Sequence, residues 1–424
     1  MGSKVAVIGT GYVGLTTGAC FAHIGHEVIC ADVDVDKVER LNRGQIPILE
    51  KGIDEIVASC LKEGTLRFVV GAANAVADAE FVYLCVPTPQ ADDGSADLSY
   101  IQSAAEEIGP HLRSDAIVVN KSTVPVGSTH VVERALKRPE IHVVSNPEFM
   151  REGSAVQDFL HPDRVVIGAD DKGAAIRVAS LFLGISAPII VTDPASAETI
   201  KYASNAFLAA KVSFINAVAA VCEAVGANIS DVSLGMGYDK RIGSEFLNPG
   251  PGWGGSCFPK DSRALVHIAE SAGYDFDLMR GVITVNDRQL HRVVNKVLHA
   301  CGGDVRDKRI AVWGLTFKAN TDDIRDSPAI AIAKRLVTLG AEIVAYDPGI
   351  RTQVAGIIQG ADMYSVCQDA HALVLLTEWD EFRWADVDKI GELLAARNVV
   401  DARNLLDRNA FVRRGFSYQG IGRA

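Results

Sequence analysis

The run KVAVIGTGYVG at residues 4–14 narrows the fold more than any other stretch. A β-branched apolar strand passes straight into Gly9, Gly11 and Gly14, spaced GxGxxG, and then into helical periodicity. The first glycine permits a tight turn, the second lets backbone approach a pyrophosphate, and the third lets helix and strand pack closely. The helix N-terminus that follows is a ready anion site. A second strand, HEVICAD, ends at Asp32, eighteen residues after Gly14. A carboxylate there accepts hydrogen bonds from ribose hydroxyls and repels a 2′-phosphate, so the pattern predicts NAD over NADP. Lys37 is a candidate for the same ribose or the pyrophosphate, with a solvated surface lysine as the alternative.

The rest of the first third repeats the theme. FVYLCVPTP (81–89), AIVVNKST (116–123), IHVVSNPEF (141–149), VVIGA (165–169) and PIIVTD (188–193) read as buried strands separated by helical stretches, the pattern of a parallel α/β sheet. Thr88 and Thr123 fall at carboxyl ends of strands, the edge where open parallel sheets bind ligands. No proline occurs between Pro194 and Pro249, and ASAETIKYASNAFLAAKVSFINAVAAVCEAVG predicts one helix of about 30 residues, capped by Asp193 or Ser196 and stopped at Gly226. KRIAVWGLTF, SPAIAIAKRLVTLG, AEIVAYDP, ALVLLTEW and NVVDARNLL then start a second α/β pattern. The expected fold is α/β, with two Rossmann-like parallel-sheet domains joined by a long central helix. The expected domains are 1–193 for cofactor, 194–300 for the helix and a helical dimerisation region, and 301–424 for a second ligand.

Composition removes several function classes. The formal charge of −11, from 42 basic and 53 acidic side chains, disfavours nucleic acid and anionic membranes as partners. The apolar run AFLAAKVSFINAVAAV is broken by Lys211, Ser213 and Asn216, so it reads as a core helix and not a membrane span. Eight cysteines lie scattered, with no CxxC pair and no Cys/His cluster of metal-ligand spacing. Free thiols, no metal and a cytoplasmic setting are the expectation, and the strand-like start leaves no room for a signal peptide.

One of those thiols stands apart. Cys257 lies in GPGWGGSCFPKD, and Pro259 opens the helical stretch SRALVHIAESAG behind it. A thiol at a helix N-terminus with Lys260 nearby is set up as a thiolate. Cys85, inside the apolar VYLCV, reads as a small core residue. A nucleophilic cysteine beside NAD can capture an aldehyde as a thiohemiacetal, lose a second hydride to give a thioester, and release acid by hydrolysis. That chemistry needs oxyanion donors and a carboxylate. Lys201 and Asn205, four apart on one helix face, supply donors, while Glu148, Glu152 and Asp261 are the nearby acids. In the second α/β pattern, Lys318, Arg325 and Arg403 form a set of cations at the strand ends that suits a diphosphate.

Taken together, GTGYVGL, KSTVPVG, NPEFMREGSAVQDFLHPDRVVIG, ETIKYASNAFLAAKVSFINAVA, GWGGSCFPKD and GLTFKANTDDIRDSP resemble the UDP-glucose/GDP-mannose dehydrogenase family nearly end to end. The resemblance implies a four-electron oxidation of a nucleotide sugar's C6 alcohol with reduction of two NAD, and a dimer built on the central helix. It implies that Cys257 is the nucleophile, that Lys201 and Asn205 stabilise oxyanions, and that Asp261 joins the acid/base network. Glu152 and Thr123 would serve the cofactor side and catalytic water, and Glu148 thioester hydrolysis or substrate positioning. Tyr12, Val13, Thr88 and Arg325 would contact NAD. Phe149, Arg151, Phe246, Asn248, Gly252, Gly254, Lys318 and Arg403 would contact substrate, with Arg241 reaching a neighbouring subunit's site. The motifs lean towards a UDP-glucose enzyme, with GDP-mannose, a UDP-N-acetylhexosamine or TDP-glucose as alternatives. Two other readings are a two-electron alcohol or C4 oxidoreductase with Cys257 structural, and a non-catalytic nucleotide-sugar or NAD-sensing module.

Overall fold

The apolar runs of the first third become strands of one sheet in the computed structural model of the chain, which describes residues 2–89 and 96–423. These strands are β1 (Lys4–Ile8), β2 (Glu27–Asp32), β3 (Leu66–Val70), β4 (Phe81–Leu84), β5 (Ile117–Asn120), β6 (His142–Ser145), β7 (Val165–Gly168) and β8 (Ile189–Thr192). Their order is β3-β2-β1-β4-β5-β6-β7-β8. The first six are mutually parallel and wound in both directions from the β1/β4 gap. A single antiparallel bridge, Ser145↔Gly168, joins them to the parallel pair β7 and β8. Side chains alternate along β1, so Val5 and Val7 enter one core with Leu15 and Phe21, while Ala6 and Ile8 enter the other with Val76 and Ile101. Both faces are therefore covered, here by helices such as α1 (Tyr12–His23) and α2 (Ser128–Leu136).

The chain packs as two units, Met1–Ser204 with Arg263–Ala272, and Asn205–Ser262 with Gly273–Ala424. The long helix α3 (Pro194–Val225) contributes residues to both. It starts where the sequence predicts: Asp193 accepts the Ser196 N–H at 2.8 Å, and Gly226 ends the helix at φ +75°. Such a cap is worth about 1 kcal/mol. Helix α4 (Phe258–Ser271) also has residues in both units. Helices α5 (Asp277–Ala300) and α6 (Pro328–Thr338) belong to the second.

The second unit holds β9 (Arg309–Trp313), β10 (Glu342–Tyr346), β11 (Ile358–Gln359), β12 (Ala372–Leu375), β13 (Asn398–Asp401) and β14 (Ser417–Gln419). They form a parallel sheet in the order β11-β10-β9-β12-β13-β14, the winding of the first six strands over again. The strands read to residues 89 and 123 stop earlier, at Leu84 and Asn120. Pro87, Pro89 and Pro125 cannot donate to a ladder. VPTP and KSTVP are therefore released as loops above the carboxyl edge.

Candidate active site

At the first glycine turn the geometry fits a dinucleotide. Gly9 sits at φ +94°, and a Cβ there would lie 2.6 Å from the Cys85 carbonyl oxygen. A Cβ on Gly14 would lie 1.9 Å from the Gly9 oxygen, which is why helix and turn can touch. Over Gly11 nothing lies within 4 Å, and Gly11 is the N-cap of α1 with no side chain capping the first turn. The open backbone and uncapped N–H groups are what a pyrophosphate needs. Thr10 donates both N–H (2.9 Å) and hydroxyl to Asp32, and Lys37 Nζ lies 2.9 Å from the same carboxylate. Burial acts to raise the Asp32 pKa, but the Thr10 and Lys37 hydrogen bonds outweigh it and hold the carboxyl at about 2. The acid is thus ionised wherever NAD would be bound. Val13 packs on the core beneath, and the Tyr12 hydroxyl donates to Glu50.

Along the carboxyl edge of β4–β6 the same unit gathers a buried ionic cluster. Lys201 Nζ meets Glu148 Oε1 at 2.7 Å, with both side chains about 5% exposed. Glu148 Oε2 accepts the Met150 N–H at 2.8 Å. Burial would push the Glu148 carboxyl up, but the charge and hydrogen bond of Lys201 outweigh it, so the group is held below its ordinary value. Lys121, the first residue of KSTVP, donates to Asn146 Oδ1 at 3.1 Å, and burial draws its ammonium down to about 8 against the pull of Cys85 and Glu148. Cys85 is buried with its thiol pushed up to about 12. It is the inert core residue the sequence suggests. Thr88 Oγ1 donates to the Thr123 carbonyl at 2.8 Å, so those two predicted residues meet.

The loop after β6 carries Phe149, Arg151 and Glu152. Arg164 stacks on the Phe149 ring at 3.7 Å, and Lys201 Nζ lies 5.5 Å from that ring. Glu152 is half-buried, while Arg151 turns outward to a bidentate pair with Asp158. The next residue, Gly153, donates to Glu50 at 2.7 Å, which ties this loop to the Tyr12 turn. Glu198, one turn before Lys201, accepts from Gly127 N–H, Thr129 N–H and Thr129 Oγ1 at 2.6–3.0 Å. Burial raises its carboxyl above the ordinary value despite these donors.

In the second unit Cys257 is half-buried at the start of α4, where its carbonyl accepts the Asp261 N–H at 2.8 Å. Its sulfur lies 3.6 Å from Ser256 Oγ. One turn on, the fully buried Asp261 receives Asn205 Nδ2 at 2.6 Å and Lys260 Nζ at 2.7 Å. Lys201 and Asn205 are one turn apart on α3, as their spacing requires. Phe246 holds φ +62°, a strained value for a non-glycine worth about 1–3 kcal/mol, and its ring lies 6.2 Å from that of Phe258. Asn248 is exposed, whereas Gly250, Gly252 and Gly254 are buried. A Cβ on Gly254 would lie 2.1 Å from the Asp326 carbonyl oxygen, and one on Gly250 would lie 3.0 Å from Arg403 Nη1.

Arg403 also donates to the Leu376 carbonyl at 2.9 Å and the Phe317 carbonyl at 3.1 Å. Lys318 follows Phe317, with its ammonium 5.5 Å from that ring. Of the three predicted cations, Arg403 is therefore a neighbour of the glycine stretch. Arg325 is largely exposed and forks onto Asp323. Arg241 is 89% exposed and forks onto Asp239.

Glu50, Lys121, Arg164 and Glu198 escape the sequence reading. Only Lys121 carries a local signal, a lysine directly behind the apolar run IVVN at a strand's carboxyl end.

Comparison with known proteins agrees along the whole chain. Residues 3–185, 195–288 and 311–408 match the NAD binding domain, central domain and UDP binding domain models of the UDP-glucose/GDP-mannose dehydrogenase family. The chain is 46% identical over 435 residues to a UDP-glucose 6-dehydrogenase of Rhizobium meliloti (strain 1021), covering 99% of each. It is 44% identical to the UDP-glucose 6-dehydrogenase TuaD of Bacillus subtilis (strain 168), covering 99% of this chain and 93% of that one. Among solved structures, a UDP-glucose dehydrogenase from the hyperthermophilic archaeon Pyrobaculum islandicum superposes with a TM-score of 0.92 at 36% identity, covering 100% of this chain and 98% of that one.

Proposed function

The chain belongs to the UDP-glucose/GDP-mannose dehydrogenase family, and from that premise we propose that it oxidises the C6 alcohol of UDP-glucose to the carboxylate, reducing two NAD per sugar. NAD supplies the acceptor for both hydrides. Asp32 holds its ribose hydroxyls, and the Gly11–Gly14 turn admits its pyrophosphate. Cys257 Sγ bonds to the carbonyl carbon of the half-oxidised sugar to form a thiohemiacetal. Loss of the second hydride leaves a thioester. Water then breaks the C–S bond, giving carboxylate and returning the thiol. Lys201 and Asn205 stabilise the successive oxyanions. Asp261 and Glu148 manage protons, with Glu152 and Thr123 on the water and cofactor side. Arg403, Lys318 and the backbone of 248–254 hold the diphosphate sugar.

One observation supports this covalent reading most directly. Cys257 directly precedes α4, whose first turn carries a fully buried carboxylate tied to an amide and an ammonium. A non-catalytic sensor needs no such proton apparatus, and a two-electron dehydrogenase, which needs a base, has no use for a thiol one turn away from it. NADH yield per sugar tests it: two are expected with UDP-glucose, and Cys257→Ala should bind NAD yet form no acid. One NADH per sugar, or full acid production by that variant, would sink the mechanism. Running GDP-mannose, a UDP-N-acetylhexosamine and TDP-glucose alongside tests the choice of sugar nucleotide.

We further propose a cytoplasmic homodimer formed through α3. None of the eight cysteines forms a disulfide. Phe207, Phe214 and Val221 recur every seven residues on α3, and with Val225 they are 55–70% exposed. Helices bury such stripes against a partner, here a second copy. Arg241 then serves the neighbouring subunit's substrate. Light scattering of the wild type and of Phe207→Glu/Phe214→Glu tests this, with a monomeric wild type as the refuting result.

A further inference from the structure

The stretch Gly250–Trp253 is held in an unusual way. Among the described residues no strand pairs with it; side chains from α3 and α5 take that place. Asn286 accepts the Trp253 N–H at 2.8 Å and donates to the Trp253 carbonyl at 3.0 Å, imitating a neighbouring strand. Gln289, one turn on, donates to the Gly250 carbonyl at 2.8 Å, and Asn216 accepts the Gly250 N–H at 2.8 Å. The Trp253 indole donates to Ser213 Oγ at 2.8 Å. Both main-chain groups of Gly250 and of Trp253 are thereby fixed by amide side chains.

These amides are costly where they are. Asn216, Asn286 and Gln289 are 1–7% exposed, beside a core cluster of Val, Ile, Leu, Ala and Cys side chains. Buried amides are tolerated only when bonded, and even so Asn216 Nδ2 has no acceptor among the described residues. Apolar residues would pack such positions with less penalty but would leave the loop backbone unguided. The glycines themselves leave this loop free to take many shapes, so its order comes from these partners. Gly252 sits at φ +123°, and a Cβ there would be 2.9 Å from Asn286 Oδ1. Among the described residues, the N–H groups of Gly252 and Gly254 donate to no protein acceptor.

We propose that Asn286 and Gln289 of α5, with Asn216 of α3, are positioning residues that hold the 250–253 backbone in the shape that receives the nucleotide sugar. They touch no reacting atom and act through the loop. The inference rests on reading 248–254 as part of the substrate site. Binding is then bought before the ligand arrives, because a loop ordered only on binding would charge its entropy to affinity.

The test uses the full-length chain with UDP and UDP-glucose as probes. Asn286→Ala and Gln289→Met should each raise the Kd for UDP and the KM for UDP-glucose by about tenfold or more. The Kd for NAD should stay within about twofold, because the NAD turn takes no bond from these residues. The double variant should lose little more than the worse single, since all the bonds fix one loop. Asn286→Asp keeps the acceptor for Trp253 N–H and loses the donor, so its KM should fall between wild type and Asn286→Ala. If Asn286→Ala does not fold, Gln289→Met carries the same comparison. A folded variant with unchanged UDP-glucose KM and UDP Kd overturns the inference, even if its unfolding temperature has dropped. A wild type that binds neither UDP nor UDP-glucose overturns the substrate reading itself, and the inference with it.

Discussion

Removing Lys201 should turn Glu148 from a stabilising anion into a buried liability. The pair is 2.7 Å apart with each side chain about 5% exposed, so water screens it little. Deleting one partner of such a pair costs about 3–5 kcal/mol, because the other charge is left buried. The Met150 N–H and the Lys121 charge remain on Glu148, which places Lys201→Met near the lower figure. For a unit of this size that is a fall in unfolding temperature of about 6–12 °C. Glu148→Gln/Lys201→Met should lose less than the two singles summed, with a coupling of about 1–3 kcal/mol. The pH dependence has a definite sign. In the wild type the carboxyl sits below its ordinary value. Its contribution is full above the unfolded pKa and is lost as pH falls through the folded one. Without Lys201, burial dominates and the folded pKa rises, so the remaining stability is lost as pH climbs. The gap between wild type and Lys201→Met should therefore be wider at about pH 8 than at about pH 5. Urea unfolding of both proteins at the two pH values measures it. A gap that stays constant or narrows towards pH 8 refutes the assignment of Glu148 as an anion held by Lys201.

Three further outcomes follow from the glycine geometry and from Asp32. Gly11→Ala should fold normally, since nothing lies within 4 Å of the added methyl and φ is −67°, yet its KM for NAD should rise about tenfold or more because the methyl stands where the pyrophosphate approaches. Gly254→Ala should do the opposite: the methyl would meet the Asp326 carbonyl at 2.1 Å, so circular dichroism melts should show a destabilised protein and UDP binding should fail with it. With the Asp32 carboxyl at about 2, titration calorimetry should find NAD affinity flat between about pH 5 and 8, and a loss of affinity centred in that window would contradict the pairing with Thr10 and Lys37.

What the sequence discloses depends on how far each interaction reaches. The β1–α1–β2 turn and α3 are written in consecutive residues, through GTGYVG, Asp193 and Gly226. Strands β11 and β14, of two and three residues, are too short to leave a period, and β3 is broken by Arg67. The Lys201–Asn205 and Cys257–Asp261 spacings foretold the helix faces, but the Asn205–Asp261 bond spans 56 residues and only folding supplies it. Glu50 was invisible for the same reason, because its partner Gly153 lies 103 residues away. Nothing in the sequence sets Asn286 and Gln289 apart from the other polar positions of α5. A sequence records periodicity and caps, whereas buried polar networks are defined by distant partners.

The two sheets share one winding, and the acid ending the second strand shows why they need not share a ligand. Asp32, at the end of β2, keeps its side chain 12% exposed. Asp347, one residue past β10, is buried and spent within the protein. Its Oδ2 accepts Leu315 N–H, Thr316 N–H, Thr316 Oγ1 and Trp379 Nε1 at 2.6–3.2 Å, and its Oδ1 accepts Gly349 N–H at 2.8 Å. An acid so saturated has nothing left for ribose hydroxyls, and Gly314 leads into no second GxGxxG. The same substitution should therefore have opposite effects at the two positions. Asp347→Asn leaves one oxygen for five donors and turns an amide against an N–H, costing about 1–3 kcal/mol of stability for each unpaired group while NAD binding persists. Asp32→Asn keeps an acceptor for Thr10, so the melt should move by only a few degrees, about what a cost of 1 kcal/mol gives. Its loss should be in binding: preference for NAD over NADP should fall about tenfold or more once the carboxylate no longer repels a 2′-phosphate. Thermal melts paired with NAD and NADP titrations separate the two. If Asp347→Asn weakens NAD binding at an unchanged melting temperature, the second sheet retains the dinucleotide site that its saturated aspartate argues against.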